Sequence, residues 1–150
     1  MNKDILEILT SKEDKVAYAY TQKIVLESEE SNKWYSYFDE FVSLLDHPKL
    51  LVRNRVIAIL AANAKWDKKD KFNLIINDLL SHIEDEKPIT SRKCISALYE
   101  IGKAKPKLIK KILKGLTNAD TSKYKDSMRP LIEKDIIETI NKLKLMEVKQ

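Results

Sequence analysis

Residues 44–60 read LLDHPKLLVRNRVIAIL, and this stretch decides the predicted fold. An acid, a histidine and a proline stand in a row at 46–48, and two arginines follow, Arg53 and Arg55. Proline ends a helix and suits the start of the next one, so this row is typical of a tight turn between helices. The apolar residues on both sides recur at three- and four-residue spacing, which predicts two amphipathic helices.

The charged residues of this turn have a structural interpretation. Asp46 can accept hydrogen bonds from the backbone N–H groups that open the next helix. Pro48 stops the first helix, and Arg53 can pair with an acid of its own or of a neighbouring repeat. We therefore interpret residues 44–60 as a structural turn rather than as an active-site cluster.

The same pattern returns 39 residues later, where IEDEKPITSRKCISALY spans residues 83–99 without a gap in the alignment. Acid, arginine and apolar positions coincide: Leu44 with Ile83, Asp46 with Asp85, Arg53 with Arg92, Val56 with Ile95, Ala58 with Ala97 and Ile59 with Leu98. A period of about 40 residues made of two helices is the signature of a helical solenoid. A third copy with a longer turn is predicted over residues 106–145.

Apolar spacing also predicts the buried faces of single helices. Near the N-terminus, the residues that recur at four-residue spacing are Val16, Tyr20 and Ile24. After the turn at 46–48, the predicted buried positions are Val52, Val56, Ile59, Leu60 and Asn63 or Ala64.

The helix of the second copy has predicted ends as well. Pro88 suits its first turn, and Gly102 is predicted to end it with a left-handed cap. Its apolar positions are Cys94, Ile95, Leu98, Tyr99 and Ile101.

The turn resembles that of HEAT repeats, whose motif runs Leu-x-Asp-x-Pro, then Val-Arg, then Ala-x-x-Ala-Leu. The matching residues are Leu44, Asp46, Pro48, Val52 and Arg53. The later segments IEDEKPITSRKCISALYEI (83–101) and SKYKDSMRPLIEKDI (122–136) are similar to small bacterial HEAT-like proteins, some of them labelled SufBD. That label implies iron–sulfur assembly, but the chain offers no ligand residues for a cluster.

The resemblance covers most of the chain and implies an all-α fold. We expect a right-handed α-solenoid of stacked antiparallel helix pairs, HEAT- or armadillo-like, with about seven to eight helices. The expected organisation is a single domain, 1–150, with a divergent cap at 1–31 and repeats at about 33–65, 67–103 and 106–145. The resemblance implies no assigned activity.

Composition agrees with a helical chain. Of 150 residues, 43% are hydrophobic and 34% charged, with only two glycines and four prolines to form turns. The single cysteine excludes an internal disulfide or a cysteine-based zinc cage. The polar N-terminus lacks the features of a secretion signal, and no apolar run approaches the ~20 residues that span a bilayer. We expect a cytoplasmic protein without membrane association.

Charge is distributed unevenly. Six Lys/Arg against ten Asp/Glu give −4 in residues 1–50, nine against seven give +2 in 51–102, and thirteen against six give +7 in 103–150. This gradient can steer an anionic partner or align two copies head to tail. Four lysines share one helical face at Lys107, Lys110, Lys111 and Lys114. We interpret that face as solvated, with phosphate contact as the alternative.

Motifs for chemistry are missing from the sequence. The two histidines, His47 and His82, are too far apart along the chain to form a helical metal-binding pair. Cys94 lies on an apolar helix face and is predicted to be a core residue. No Gly-x-Ser-x-Gly or glycine-rich phosphate loop occurs. No catalytic, metal-binding or cofactor-binding residue is predicted, and the protein is expected not to be an enzyme.

The leading hypothesis is an adaptor that binds a protein partner through the concave surface formed by the second helices of the repeats. The candidate residues lie off the apolar stripes: Arg55, Lys65, Trp66, Lys93, Ser96, Glu100 and Lys103. In the longest loop, Tyr124, Lys125, Asp126 and Met128 form either a contact patch or a capping loop that folds back on the last repeat.

The alternative hypothesis is a DNA-binding protein related to the HEAT-like glycosylases of alkylated DNA. Residues 91–106 resemble the helix that lines the DNA groove of those enzymes, which need a carboxylate and aromatic residues facing a basic cleft. The corresponding set here is Arg55, Trp66, Asp67, Arg92 and Lys93. Sequence-independent nucleic-acid binding by the basic C-terminal third is a third possibility.

Overall fold

The computed structural model describes residues 2–149, with side chains from 4 to 147, and this part of the chain contains eight α-helices and no strand. The predicted all-α class is confirmed. The helices are α1 (Asn2–Leu9), α2 (Asp14–Glu30), α3 (Phe38–Val42), α4 (Leu50–Asn63), α5 (Phe72–Ser81), α6 (Pro88–Ala104), α7 (Ile109–Thr117) and α8 (Arg129–Lys149). A 3₁₀ turn, Lys33–Tyr37, precedes α3, and shorter ones lie at Ala64–Trp66, His82–Glu84 and Pro106–Leu108.

The chain forms two compact units, residues 1–69 and 70–150. Each unit contains two helix pairs. The first helices of the two pairs contact each other, and so do the second helices. In the first unit, α1 contacts α3 and α2 contacts α4. In the second unit, α5 contacts α7 and α6 contacts α8.

In both units the two second helices run in the same direction. Across α2 and α4, Lys49 pairs with Asp14 and Asn63 with Ser28, and each pair is 35 residues apart. Across α6 and α8, Arg92 pairs with Asp135 and Lys142 lies over the ring of Tyr99, and each pair is 43 residues apart. Because the difference in residue number between the paired residues is the same at both positions, the two helices of each unit run parallel and in the same direction.

The first unit packs a stripe of mostly small side chains on α2 against α4. The predicted α4 positions, Val52, Val56, Ile59 and Leu60, are fully buried. On α2, the predicted stripe through Val16, Tyr20 and Ile24 is wrong for Val16, which is 51% exposed. The buried stripe is instead Ala17, Thr21, Ile24 and Ser28.

The small side chains explain that difference. Thr21 and Ser28 donate their hydroxyl protons to carbonyl oxygens four residues earlier, at 2.8 and 2.7 Å, so neither hydroxyl is buried without a partner. A small, satisfied face can lie close to α4. Apolar spacing alone therefore placed Ile24 correctly on the buried face of α2 but also placed Val16 there wrongly.

The second unit has an aliphatic core built from all four of its helices. The buried side chains include Phe72, Ile76, Leu79, Cys94, Ile95, Leu98, Ile101, Ile109, Ile112, Leu116, Ile132, Ile136 and Leu143. Cys94 is therefore a core residue, as predicted. Its thiol lies 3.1 Å from the carbonyl oxygen of Leu79, and burial raises the pKa of Cys94, which keeps the thiol protonated.

Gly102 has a different role from the predicted one. A left-handed helix cap is wrong, because α6 continues to Ala104 and neither glycine has a positive φ. A Cβ atom at position 102 would lie 2.8 Å from Cδ2 of Leu143. Glycine therefore permits the close approach of α6 to α8.

The predicted turn residues Asp46 and Pro48 lie just before α4, and Arg53 lies in its first turn. Arg53 is only 7% exposed, and its Nη1 donates to the carbonyl oxygens of His47 and Pro48, at 2.9 and 3.1 Å. The N–H of Lys49, the N-cap residue, donates to Nδ1 of His47 at 3.0 Å. Asp46 is exposed. The acceptor for the Lys49 N–H is thus Nδ1 of His47.

In the second unit the corresponding acid is buried. Oδ1 of Asp85 accepts from the N–H of Lys87 at 2.8 Å, and Oδ2 accepts from Nδ1 of His82 at 2.7 Å. Asp85 therefore accepts a backbone hydrogen bond at the start of α6, the role that the sequence suggested for the matching acid Asp46. Arg92 points away from this turn and pairs with Asp135 on α8.

A candidate binding groove between two parallel helices

An open groove of about 450 Å³ runs between α6 and α8 in the second unit. Its walls are the parallel second helices described above. One side of α6 contributes Ile89, Arg92, Lys93, Ile95, Ser96 and Tyr99, and α8 contributes Asp135, Glu138, Thr139 and Lys142. Met128, just before α8, completes the lining.

A two-point ion pair holds one part of the groove. Nε of Arg92 donates to Oδ2 of Asp135 at 2.6 Å, and Nη2 donates to Oδ1 at 3.3 Å. The hydrogen bond with Asp135 raises the pKa of Arg92, so this guanidinium stays charged. Such a planar fork fixes both side chains and sets the spacing between the helices.

Two helical turns further along, the groove is bordered by an aromatic ring between two cations. Nζ of Lys142 lies 5.0 Å and Nζ of Lys103 lies 5.2 Å from the ring centre of Tyr99. Lys103 also pairs with Glu100 at 3.2 Å. These cation–π contacts hold Tyr99 in place, and the residue is half-buried.

The groove combines apolar surface with charges of both signs. Ile89 is 54% exposed and Met128 is half-buried. Lys93 and Glu138 are exposed beside them. This arrangement can bind a chain with an apolar side chain and flanking charges, and it lacks a nucleophile paired with a base among the groove-lining residues.

The predicted concave residues separate into two groups. Lys93 and Ser96 line the groove, and Glu100 and Lys103 lie on the same helix beside Tyr99. Arg55, Lys65 and Trp66 belong to the first unit. They do not line this groove.

Arg55 is not an accessible binding residue, contrary to the prediction. Its side chain is 7% exposed, and its guanidinium donates to the carbonyl oxygen of Leu9 at 2.7 Å and to Asp14 at 3.0 Å. It joins the end of α1 and the start of α2 to α4. A buried guanidinium with this fixed geometry is structural, and hydrophobic periodicity alone could not distinguish it from a groove residue.

Trp66 and Lys65 also make intramolecular contacts. Nε1 of Trp66 donates to the carbonyl oxygen of Ser28 at 2.6 Å. Lys65 donates to the carbonyl oxygen of Glu29 at 3.0 Å and lies over the Trp66 ring. Lys65 is nevertheless exposed, whereas Trp66 is half-buried as a packing residue.

The loop patch is corrected at Tyr124. This residue is buried, and its hydroxyl donates to the carbonyl oxygen of Asp85 at 2.6 Å, with that of Ile83 at 3.2 Å. Lys123 donates to the carbonyl oxygen of Glu84. The loop therefore folds back as a capping loop would, but onto the 83–85 turn of the predicted 67–103 repeat and not onto the last repeat. Of the remaining predicted patch, Lys125 and Asp126 are exposed, and Met128 lines the groove.

The α8 wall was missed by sequence reasoning. Asp135, Glu138 and Lys142 follow one another at three- and four-residue spacing, which places them on one face of α8. That spacing was a usable signal. The spacing did not indicate that another helix lies opposite, because a charged stripe usually faces solvent. Tyr99, expected among the apolar positions of α6, also borders the groove.

The predicted lysine stripe is on the surface. Lys107, Lys110, Lys111 and Lys114 are all exposed, and within residues 4–147 no ion pair involves them. The opposite face of α7 is buried through Ile109, Ile112 and Leu116.

No family model matches the chain, and neither a curated protein nor a solved structure gives a significant match. None of the described helices contains a stretch that is long and apolar enough to cross a bilayer.

Proposed function

We propose that this protein is a cytoplasmic, non-enzymatic interaction module that binds a peptide segment of a protein partner in the α6–α8 groove. The observation that carries the proposal is the groove itself. It presents exposed apolar surface at Ile89, a fixed aromatic ring at Tyr99 and charges of both signs. Interfaces of this kind rely on a few anchors surrounded by polar groups.

The helix arrangement supports a HEAT-like solenoid as the architectural part of this proposal. In each unit, second helices are parallel neighbours and first helices contact each other. This is the packing of consecutive helix pairs in a stack. The groove is formed by second helices, which supply the concave binding surface in such stacks.

The charges define the partner segment more closely. Arg92 and Asp135 are committed to each other, so Lys93, Glu138 and Lys142 are the groove charges that a partner meets. We expect a segment with one large apolar side chain and acidic residues beside it. The apolar group would lie against Ile89 and Met128, and an acid would approach Lys93.

Site-specific photo-crosslinking tests this proposal. Ser96, exposed within the groove, is replaced by p-benzoylphenylalanine, and Asn73, exposed on α5, is replaced in the control. After illumination in a lysate of the source cells, we expect a defined adduct from position 96 alone. The purified adduct partner should then bind Lys93→Glu at least about tenfold more weakly than wild type. Equal adducts from both positions, or none from position 96, would contradict the proposal.

A second candidate, nucleic-acid binding, is favoured by the four exposed lysines without ion pairs at Lys107–Lys114. The glycosylase version gains no support from Asp67, which is 2% exposed and accepts a hydrogen bond from the Tyr35 hydroxyl. Such a buried carboxylate does not face a cleft. Backbone binding through the stripe would be sequence-independent and steeply salt-dependent.

Fluorescence anisotropy with duplex DNA at low and moderate salt separates the two candidates. The test variant is K110E/K111E/K114E, and the control K12E/K15E/K23E makes the same charge change on exposed lysines in and just before α2. Salt-sensitive binding lost only in the test variant supports the nucleic-acid candidate. Absence of binding at low salt, or equal loss in both variants, dismisses it.

A further inference from the structure

A second cavity, of about 300 Å³, lies in the first unit and is independent of the α6–α8 groove. Three aromatic residues line it: Tyr20 from α2, and Trp34 and Tyr37 from the 3₁₀ turn before α3. Asp4 and Ile5 of α1 and Lys33 complete the lining.

The rings form the walls of a corner. The ring centres of Tyr20 and Trp34 are 6.1 Å apart with planes at 84°, and those of Trp34 and Tyr37 are 5.8 Å apart at 50°. A cation between two such walls lies within about 6 Å of more than one ring centre, the range in which a ring face attracts positive charge.

Trp34 is held in this orientation by its indole nitrogen. Nε1 donates to Oε1 of Glu27 at 2.9 Å, and the same oxygen pairs with Lys33 at 3.0 Å. These two contacts lower the pKa of Glu27, first through Lys33 and then through Trp34, so Glu27 is ionised at neutral pH. Preorganised ring walls reduce the entropy that a ligand must remove on binding.

The local charge favours a cation. Asp4 lines the cavity and Glu27 lies beside it, and both are negative. Among the residues whose side chains are described, Lys33 is the one positive side chain that lines the cavity. Burial raises the pKa of Tyr20, and the negative charge of Asp4, which lines the same cavity, raises it further. Lys33 itself lies 5.4 Å from the ring centre of Trp34, so the indole already attracts an ammonium group of the protein.

We propose that this aromatic cavity binds a trimethylammonium group, with Tyr20, Trp34 and Tyr37 as its walls and Asp4 as the counter-charge. A methylated ammonium fits better than a primary ammonium or a metal ion. Its methyl groups lose little hydration on entering an apolar corner, whereas the other ions need several hydrogen bonds or oxygen ligands. Ile5, which is buried, supplies an apolar floor for the methyl groups.

Titration with tetramethylammonium chloride tests the proposal in the full chain. The readout is the indole Nε1–H NMR signal of Trp34, assigned by its loss in Trp34→Phe. We expect saturable shifts with a dissociation constant of about 1 mM, and choline binding at least about tenfold tighter than its uncharged isostere 3,3-dimethyl-1-butanol. Equal shifts with the neutral isostere, or no saturation, would overturn it.

Matched variants keep the test independent of folding. Asp4→Asn changes an exposed carboxylate and should weaken binding about threefold to tenfold, whereas Glu7→Gln, on the same helix outside the cavity, should leave it unchanged. Lys33→Met removes the competing ammonium and should strengthen binding. Equal effects of Asp4→Asn and Glu7→Gln would contradict the assigned counter-charge.

Two sources can supply this group, a small molecule and a methylated protein side chain. Comparing choline with a short trimethyllysine peptide distinguishes them, because only the peptide can gain affinity from backbone contacts outside the cavity. Tighter choline binding indicates a small-molecule ligand, and tighter peptide binding indicates a modified protein. Both results support recognition of the trimethylammonium group.

Discussion

In the turn at residues 44–53, the buried guanidinium of Arg53 donates to two carbonyl oxygens of its own turn. In the matching turn at residues 83–92, the phenol of Tyr124 donates to the carbonyl oxygen of Asp85, and Arg92 extends to Asp135. The two stretches align without a gap, and each has its acid and arginine seven residues apart.

This difference shows how one sequence pattern serves two purposes. Carbonyl groups that a turn shields from water need donors, but the donor can come from within the turn or from a distant loop. In the second turn the 118–128 loop supplies the donor, Tyr124. Arg92 is therefore not needed in the turn, and it pairs with Asp135 across α6 and α8, where it lines the groove. In the first unit the arginine remains in its turn.

The largest expected effect comes from removing the two arginines separately. Arg53→Met should lower the free energy of unfolding by about 3 kcal/mol, because it removes a buried guanidinium and leaves two partly buried carbonyl groups without this donor. Arg92→Met should cost less than about 1 kcal/mol, because the Arg92–Asp135 pair is partly exposed. Urea denaturation followed by circular dichroism measures both. Equal losses would show that the two arginines hold their turns alike.

The acid of the second turn should matter next most. Asp85→Ala removes the acceptor of the Lys87 N–H and the partner of His82, and we expect a loss of about 2 kcal/mol. Asp85→Asn keeps one oxygen for the backbone donor and should recover about half of the lost stability. Thermal melts of the three proteins provide the comparison. An unchanged melting temperature in Asp85→Ala would exclude a capping role.

The loop tyrosine should have a smaller effect at neutral pH. Tyr124→Phe keeps the ring but removes the donor to Asp85, which should cost about 1 kcal/mol. Lys125→Ala, at an exposed site in the same loop, is the control and should change stability little.

Tyr124 should also contribute to alkaline instability. Burial raises the pKa of Tyr124, so above the unfolded value of about 10 the unfolded chain loses this proton while the folded chain keeps it. Stability therefore falls as pH rises through that range. Tyr124→Phe should lose less stability than wild type between about pH 9 and about pH 11. An identical loss would assign the alkaline effect to other groups.

The smallest effect should come from His47. His47→Ala removes the acceptor for the Lys49 N–H at the start of α4 and should cost about 0.5 kcal/mol, because this helix end is partly exposed. Hydrogen exchange of the Lys49 amide should become faster, and His47→Asn, which keeps an acceptor, should restore protection. An unchanged exchange rate would show that water replaces the histidine without cost.

Much of the local structure was predictable. Helix periodicity located the helices, and Pro88 correctly indicated the first turn of α6. Failures occurred where packing overrode hydrophobicity. Ser28 is buried on α2 because its hydroxyl is satisfied locally, while Val16 on another face remains exposed.

The candidate site was only partly predictable. Lys93 and Ser96 were expected on an accessible face of α6, because they lie off its apolar stripe. Asp135 and Lys142 were not, since a sequence does not state which helix lies opposite. Arg55 shows the converse error, because burial of a guanidinium depends on the carbonyl group of Leu9, 46 residues away.

The sequence by itself determined the helical class, the positions of the turns and the match between residues 44–60 and 83–99, because these depend on periodicity and on residues near one another in the chain. Only the tertiary structure decided that Arg53 closes its turn while Arg92 lines a groove. It also decided that Tyr20, Trp34 and Tyr37 surround one cavity. Those outcomes depend on contacts between segments that are distant in the chain. Side chains with the same local sequence pattern take different roles because their hydrogen-bond partners and packing neighbours differ.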